Sequence, residues 1–401
     1  MTGSFLPYGR HVVDDDDISA VAEVLRGDWL TTGPTVEKFE ASLAERVGAR
    51  FAVACSSGTA GLHMATAVAG LSPGDRAVVP PMTFLATANA VRYQGGDVVF
   101  SDVDPQTGLL NIDGVQDIVD RARNGIRAVL PVHLAGQTVD MPSLARLAKK
   151  AGFVVIEDAC HALGTEYLDG NEVVSVGSCR HSTMAVFSFH PVKTIAMGEG
   201  GAVTTNDPDV YRKLLEFRNH GMTREANQFQ NRDMALDSDA EPNPWYYEMP
   251  SIGFNYRASD IHCALAHSQL KKLNSFIARR RELAARYDEQ LQYLSPILLP
   301  PLRIEGCNPA WHLYAVRIDF KASGMTRKQV MVRLREAGIG SQVHYIPVHL
   351  QPYYRRLYGE SSLPGATAYY AATLSLPLFP SMSDGDVGRV VDTLAHCLGM
   401  N

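Results

Sequence analysis

The run FVVIEDACHALGTEYLDGNEVVSVGSCRHSTMAVFSFHPVKTIAMGEGGAVTTND, residues 153–207, places polar, chemistry-bearing side chains directly beside short apolar segments. FVVIEDA carries Asp158 near its end, STMAVFSFH carries Ser188 and leads to Lys193, and GAVTTND follows a glycine-bearing loop. Working back towards residue 50, FAVAC, RAVVP, DVVFSDVD and RAVLPVHL repeat the pattern, with helical stretches between them. Short β-rich runs alternating with helices predict an α/β fold with a largely parallel sheet covered on both faces. Ligands of such sheets collect at the carboxyl ends of the strands. Ser57-Gly58-Thr59, Asp158 and the segment from Ser188 to Lys193 each fall just past a predicted strand.

At 401 residues and 46% hydrophobic, the chain can bury a sizeable core and fits two domains better than one. We expect a large domain over 1–265 with an N-terminal arm, and a smaller C-terminal α+β domain over 266–401. Helical spacing runs from Ser19 to Leu25 and from Thr35 to Val47, separated by the turn GDWLTTGP. Asn227 to Glu248 is polar and reads as a long loop ending in Trp245, Tyr246 and Tyr247. From Ser259 one long helix is expected to bridge to the second domain.

The net charge of -6 leaves no basic surplus for a nucleic-acid backbone. The one arginine run, Arg279-Arg280-Arg281, reads as a solvated helix face. The N-terminal segment has no apolar core of a leader, and its Asp14–Asp17 run opposes export, so a cytoplasmic location is expected. The nearly charge-free stretch from Phe51 to Leu71 is broken by Ser56-Ser57-Gly58-Thr59 and reads as strand, turn and helix, not as a membrane span. The cysteines Cys55, Cys160, Cys179, Cys263, Cys307 and Cys397 lack CxxC spacing and a zinc-like histidine pattern, so reduced thiols are expected. His344 and His349 lack a matching ligand cluster, which favours substrate contact or packing over a metal.

Four features of the sheet's carboxyl edge are complementary in chemistry. Lys193 offers an amine, although a single lysine is ordinarily a surface residue. Asp158 offers an anion that is costly to bury unless a cation or several donors meet it, although it would also serve as a helix N-cap. Ser57-Gly58-Thr59 opens a helix, so its amides and hydroxyls can cradle a phosphate, or it is only a tight turn with a cap. Phe84, in PPMTFLATAN, offers a flat stacking surface or a core residue. Amine, anion, phosphate cup and ring surface are the four things that pyridoxal phosphate (PLP) requires of a protein. The glycine pattern is not GxGxxG, which argues against a dinucleotide.

The ordered set SSGT, PPMTFLATA, EDACHALGTEY, SFHPVKTIAMGEGGA and GFNYRASDI resembles the DegT/DnrJ/EryC1/StrS family of nucleotide-sugar aminotransferases, which are fold-type I PLP enzymes. The resemblance covers nearly the whole chain. It implies that Lys193 forms the Schiff base, that Asp158 meets the ring nitrogen and that His161 lies by the ring hydroxyl, where many relatives carry Gln. It further implies that Ser188 holds the cofactor phosphate and that Asn255 reaches it from the neighbouring subunit of a homodimer with shared active sites. A few relatives replace the lysine with His and perform dehydration, so Lys193 favours transamination.

NPWYYEMPSIGFNYRASDIHCALAHSQLKKL, WHLYAVRI and SQVHYIPVHLQPYY resemble more closely the branch that forms the UDP-linked 4-amino precursor of pseudaminic acid. That branch pattern implies a UDP-linked keto sugar bound by Tyr8, Asp28, Trp29, Leu30, Thr31, Gly58, Ser188, Asn255, Trp311, His312, Leu313, Tyr314 and His344, with glutamate as donor. The alternatives are an aminotransferase for another nucleotide 4-keto sugar, of the perosamine or bacillosamine type, and a PLP-binding regulator without turnover. Other fold-type I reactions are disfavoured by the absence of an obvious α-carboxylate-binding Arg motif and of a Cys on a flexible Gly/Ser loop. The regulator reading expects an attached DNA-binding segment, and the sequence shows none.

Overall fold

The computed structural model describes residues 5–122 and 125–400. Each apolar run of the sequence becomes a strand of one seven-stranded sheet. The strands are β1 (Phe51–Cys55), β2 (Arg76–Val79), β3 (Asp97–Phe100), β4 (Ala128–Val129), β5 (Val154–Asp158), β6 (Met184–Ser188) and β7 (Gly201–Thr205). Their order across the sheet is β1-β7-β6-β5-β4-β2-β3. All pairings are parallel except those of β7, which runs antiparallel to both β1 and β6. No helix separates β6 from β7, so the chain turns back on itself without the crossover that a parallel pair needs. This is the mixed, mostly parallel sheet of a fold-type I enzyme.

The reversal has a local consequence. Gly201 begins β7 at the edge where β1 and β6 end, paired with Cys55 and Ser188. A Cβ on Gly201 would stand 2.6 Å from the Ser57 carbonyl. The glycine loop is therefore bare backbone where it meets the turn after β1.

The N-terminal helix spans Asp15–Arg26, starting four residues before the apolar repeat does, because polar groups set its start. Asp14 accepts from the Asp17 amide at 3.1 Å and Asp17 accepts from the Asp14 amide at 3.2 Å. The acidic run thus forms a capping box at a positive helix end, and Lys272 pairs with both carboxylates. The expected long helix after Ser259 is two helices, Asp260–Lys271 and Leu273–Gln290, broken at Lys272.

These helices link two cores. Cys263, Ala266, Leu270, Leu273 and Ile277 pack with the main sheet. Leu283, Ala284 and Tyr287 pack instead with Val316, Ile318, Leu374, Leu376 and Leu394 around a three-stranded sheet of Leu298–Leu299, Tyr314–Ile318 and Thr373–Leu376. Leu6 joins this second core, with its amide on the Gly338 carbonyl at 2.9 Å. We propose, on these two cores, a large and a small domain; the handover falls inside the second helix, between Ile277 and Leu283.

The arginine run is not a solvated face. Arg280 is 1% exposed and donates to the carbonyls of Trp311 at 3.2 Å and Leu378 at 2.9 Å. Arg281 donates to the Pro309 carbonyl at 2.9 Å. The face that carries them is turned towards loops of the small core, whose unpaired carbonyls supply the acceptors that charge alone does not reveal. Burial without a carboxylate lowers the Arg280 pKa to about 10.

Another buried charge ties the main sheet to two helices. Glu40, 8% exposed, accepts from the Ala54 amide at 2.7 Å and from Arg218 at 2.5 Å. Arg218 also donates to the Ala54 carbonyl at 2.7 Å. Removing one partner of such a pair strands the other charge, so Glu40→Ala should destabilise the fold by about 3 kcal/mol. Urea unfolding checks this by a lower midpoint, and Glu282→Ala, at an exposed ion pair, should leave the midpoint in place.

Candidate functional site

A cavity of about 530 Å³ opens at the carboxyl ends of β1, β5 and β6. It is lined by Tyr8, Ser57, Gly58, Thr59, Phe84, Asp158, His161, Ser188, Lys193, His312 and His344, which the sequence reading named for the site, by Cys160, which it read only as a reduced thiol, and by Thr83 and Tyr345, which it did not name.

At one end lies the start of helix Gly58–Val68. The Ser57 hydroxyl caps it, accepting from the Ala60 amide at 3.0 Å. The amides of Gly58 and Thr59 occupy the first turn, where a helix offers no internal acceptor. Opposite stands Ser188: a Cβ on Gly58 would lie 2.8 Å from the Ser188 Cβ. Glycine is what allows amides and hydroxyl to face each other across a gap, and this donor set at a positive helix end suits a phosphate.

Asp158 ends β5 and is 5% exposed. No helix follows it, so it is not an N-cap. Its Oδ2 accepts from the Thr87 hydroxyl at 2.6 Å and its Oδ1 from the Cys160 amide at 3.1 Å. Thr87 is in turn 2.7 Å from the Thr83 hydroxyl. Two donors thus meet the buried carboxylate, and its position suits a protonated pyridine nitrogen opposite it.

Lys193 lines the same cavity. Burial lowers its pKa, and this outweighs the opposing pull of Cys160 and Asp158. Its amine is thereby nearer the neutral, nucleophilic form than a surface lysine would be. Phe84 precedes helix Leu85–Tyr93 in extended backbone and stays 56% exposed at the cavity, not in the core. Amine, anion, phosphate cup and aromatic surface converge, and together they fit PLP.

His161 is 6% exposed, with Nδ1 3.3 Å from the Ala135 amide and Nε2 3.0 Å from the Tyr345 hydroxyl. Burial, then Lys193 and His344, hold its pKa well below the usual range, so the ring is neutral. His312 lies against it, ring centroids 4.3 Å apart. His344 bonds the Ser375 hydroxyl at 2.8 Å, and burial lowers its pKa to about 3.

Some expected residues lie elsewhere. Of the WHLY run only His312 reaches the cavity. Trp311 turns the backbone with a φ of 47° and buries its side chain in the small core. Leu313 is buried, and Tyr314 stacks on Tyr287 at 4.7 Å and donates to Asp288 at 2.6 Å. Their burial leaves them no face towards a substrate.

Asp28, Trp29, Leu30 and Thr31 are exposed outside the cavity of their own chain, with the Leu30 carbonyl accepting from the Asp260 amide at 3.1 Å and Thr31 bridged to Ser259. Asn255 is also exposed, bridged to Asn219. Among the described residues no group of three or more His, Cys, Asp or Glu forms a metal cluster, and no helix is long and apolar enough to cross a membrane.

Comparison with known proteins agrees with this geometry. The DegT/DnrJ/EryC1/StrS aminotransferase family matches residues 12–395. The spore coat polysaccharide biosynthesis protein SpsC of Bacillus subtilis (strain 168) is 39% identical over 394 residues, covering 97% of this chain and 96% of that protein. The structure is similar to that of PseC from Helicobacter pylori, an aminotransferase involved in pseudoaminic acid biosynthesis, with a TM-score of 0.88 at 29% identity over 99% of this chain and 100% of that one. It is also similar to DesV from S. venezuelae, solved with a ketimine intermediate, with a TM-score of 0.84 at 30% identity over 99% of both chains. The chain belongs to the DegT/DnrJ/EryC1/StrS family and is a PLP-dependent sugar aminotransferase.

Proposed function

We propose that this enzyme moves an amino group from glutamate to the C4 ketone of a UDP-linked 4-keto-6-deoxy-N-acetyl sugar, as a step towards pseudaminic acid. The observation that carries the transfer is the convergence of Lys193, Asp158 and the Gly58–Thr59 amides on one cavity whose other wall holds Tyr8, His312 and His344. The sugar assignment draws support from the SQVHYIPVHL and WHLY motifs and from the likeness to PseC. The likeness to SpsC favours, as a second reading, a different nucleotide 4-keto sugar.

PLP, when bound, supplies an aldehyde that exchanges amino groups and a ring that accepts electrons. The chain supplies the rest. Gly58, Thr59, Ser57 and Ser188 hold the phosphate, Phe84 bounds one face of the ring, and Asp158 holds the proton on the ring nitrogen. Lys193, once its amine is free, moves a proton onto and off the reacting carbons. His312 and His344, kept neutral by burial, offer hydrogen bonds to sugar oxygens without adding charge beside the lysine, and His161, neutral for the same reason, adds none either.

We further propose a cytoplasmic homodimer in which the partner subunit supplies Asn255 and the Asp28–Thr31 segment to this cavity. Both are exposed and outside the site of their own chain, which is what a shared site requires.

Glutamate with UDP-4-keto-6-deoxy-N-acetyl-L-altrosamine should give a 4-amino product identifiable by NMR, at a kcat/KM at least about tenfold above that for dTDP-4-keto-6-deoxyglucose. Comparable values would overturn the UDP assignment and leave the aminotransferase intact. Lys193→Ala should lose at least about 100-fold in kcat. If Lys193→Ala and Asn255→Ala homodimers are each nearly inactive, equal mixing with subunit exchange should restore about one quarter of wild-type activity, because half the dimers are mixed and each has one intact site. No recovery after demonstrated exchange would place Asn255 in the site of its own chain.

A further inference from the structure

We propose that the hydroxyl of Tyr345 donates a hydrogen bond to the ring oxygen of PLP, with His161 orienting that hydroxyl. The proposal rests on the cofactor and not on the identity of the sugar.

The argument starts from the Ala135 amide. Ala135 is buried in the turn Leu134–Gly136, with a left-handed φ of 60°. Its N–H points at His161 Nδ1, 3.3 Å away, so that nitrogen uses its lone pair as an acceptor. A neutral imidazole has one N–H, which must therefore sit on Nε2. Nε2 is 3.0 Å from the Tyr345 oxygen, so His161 donates and Tyr345 accepts.

Neither nitrogen of His161 then has a lone pair for the phenolic hydrogen. Among the described residues the Tyr345 hydroxyl has no other hydrogen-bond partner than His161. Tyr345 is half-buried and its hydroxyl lines the cavity, so the acceptor it faces is a ligand atom, or water until the ligand enters. Burial raises the phenol's pKa, so the hydroxyl keeps its hydrogen throughout the working range.

The position selects the ligand atom. Asp158 fixes the nitrogen end of the ring and Lys193 the carbon that bears the aldehyde, and the ring oxygen lies on the edge between those two ends. Tyr345 and His161 are parallel within 28°, and Tyr345 is 6.0 Å from Phe84, the residue at the ring face. Tyr345, His161, Asp158 and Lys193 all line the one cavity. Through its bond to His161, Tyr345 stands beside the residue that the family resemblance sets by the ring oxygen.

The test is a pH titration of the absorbance of PLP-loaded protein without substrate. A donor on the ring oxygen stabilises the chromophore after it has lost the proton it shares with the lysine-derived nitrogen, so the donor lowers the titration midpoint. Tyr345→Phe should raise that midpoint by about one pH unit, the size expected for a hydrogen bond to a charged oxygen. Replacing Tyr345 by 3-fluorotyrosine keeps the shape, makes a better donor and should lower the midpoint below wild type. If the Phe variant fails to fold or to hold PLP, the fluorotyrosine protein decides alone. Midpoints within about 0.2 units of wild type would overturn the proposal. An unmoved midpoint with a raised KM for the keto sugar would overturn it too, by assigning the hydroxyl to the sugar.

Discussion

The carboxylate of Asp158 is the constraint around which this molecule is arranged. An apolar strand that ends in a buried acid can be stable only if donors stand where the acid ends, and here they come from two different directions. The Cys160 amide is delivered by the chain turning immediately after β5, and the Thr87 hydroxyl by a helix that packs over β2 and β3. Satisfying the acid thus fixes the position of that helix and, with it, Phe84 at its start. One electrostatic requirement positions both of the side chains that we propose meet the cofactor's ring.

The reversed strand β7 does the corresponding work at the proposed phosphate end. Because it enters the sheet at the edge where its neighbours leave, the loop carrying Lys193 must fold back across the cavity mouth before Gly201. The absence of side chains at Gly58 and Gly201 lets three backbone segments approach within van der Waals distance there. The lysine is accordingly held by the topology of the sheet, and its lowered pKa follows from the burial that the topology imposes.

Much of this was legible in the sequence because the signals were local. Apolar runs followed at once by Ser57-Gly58-Thr59, Asp158 or Ser188 announce both a strand and its functional end. What escaped depended on partners distant in the chain. Thr87 lies one helical turn beyond Phe84, and nothing in its own neighbourhood says that it meets Asp158. Tyr345 sits in a motif noted for its histidines and becomes meaningful only beside His161. Trp311, Leu313 and Tyr314 are set by the branch resemblance around the nucleotide sugar, whereas a positive φ turns Trp311 into the small core and, of this run, His312 alone lines the cavity. Arg280 misled for the same reason, since the carbonyls that accept from it belong to loops far along the chain.

That arginine has a wider consequence. Its guanidinium holds the carbonyls of Trp311 and Leu378 without any acid nearby, so the joint between the long helix and the segment presenting His312 is made of one charge and fixed dipoles. Dipoles do not titrate, and dissolved ions do not reach a fully buried group to screen it. The seating of His312 against His161 is therefore insulated from ionic strength, and the geometry of that wall of the cavity stays constant across salt conditions that would loosen ion pairs on the surface.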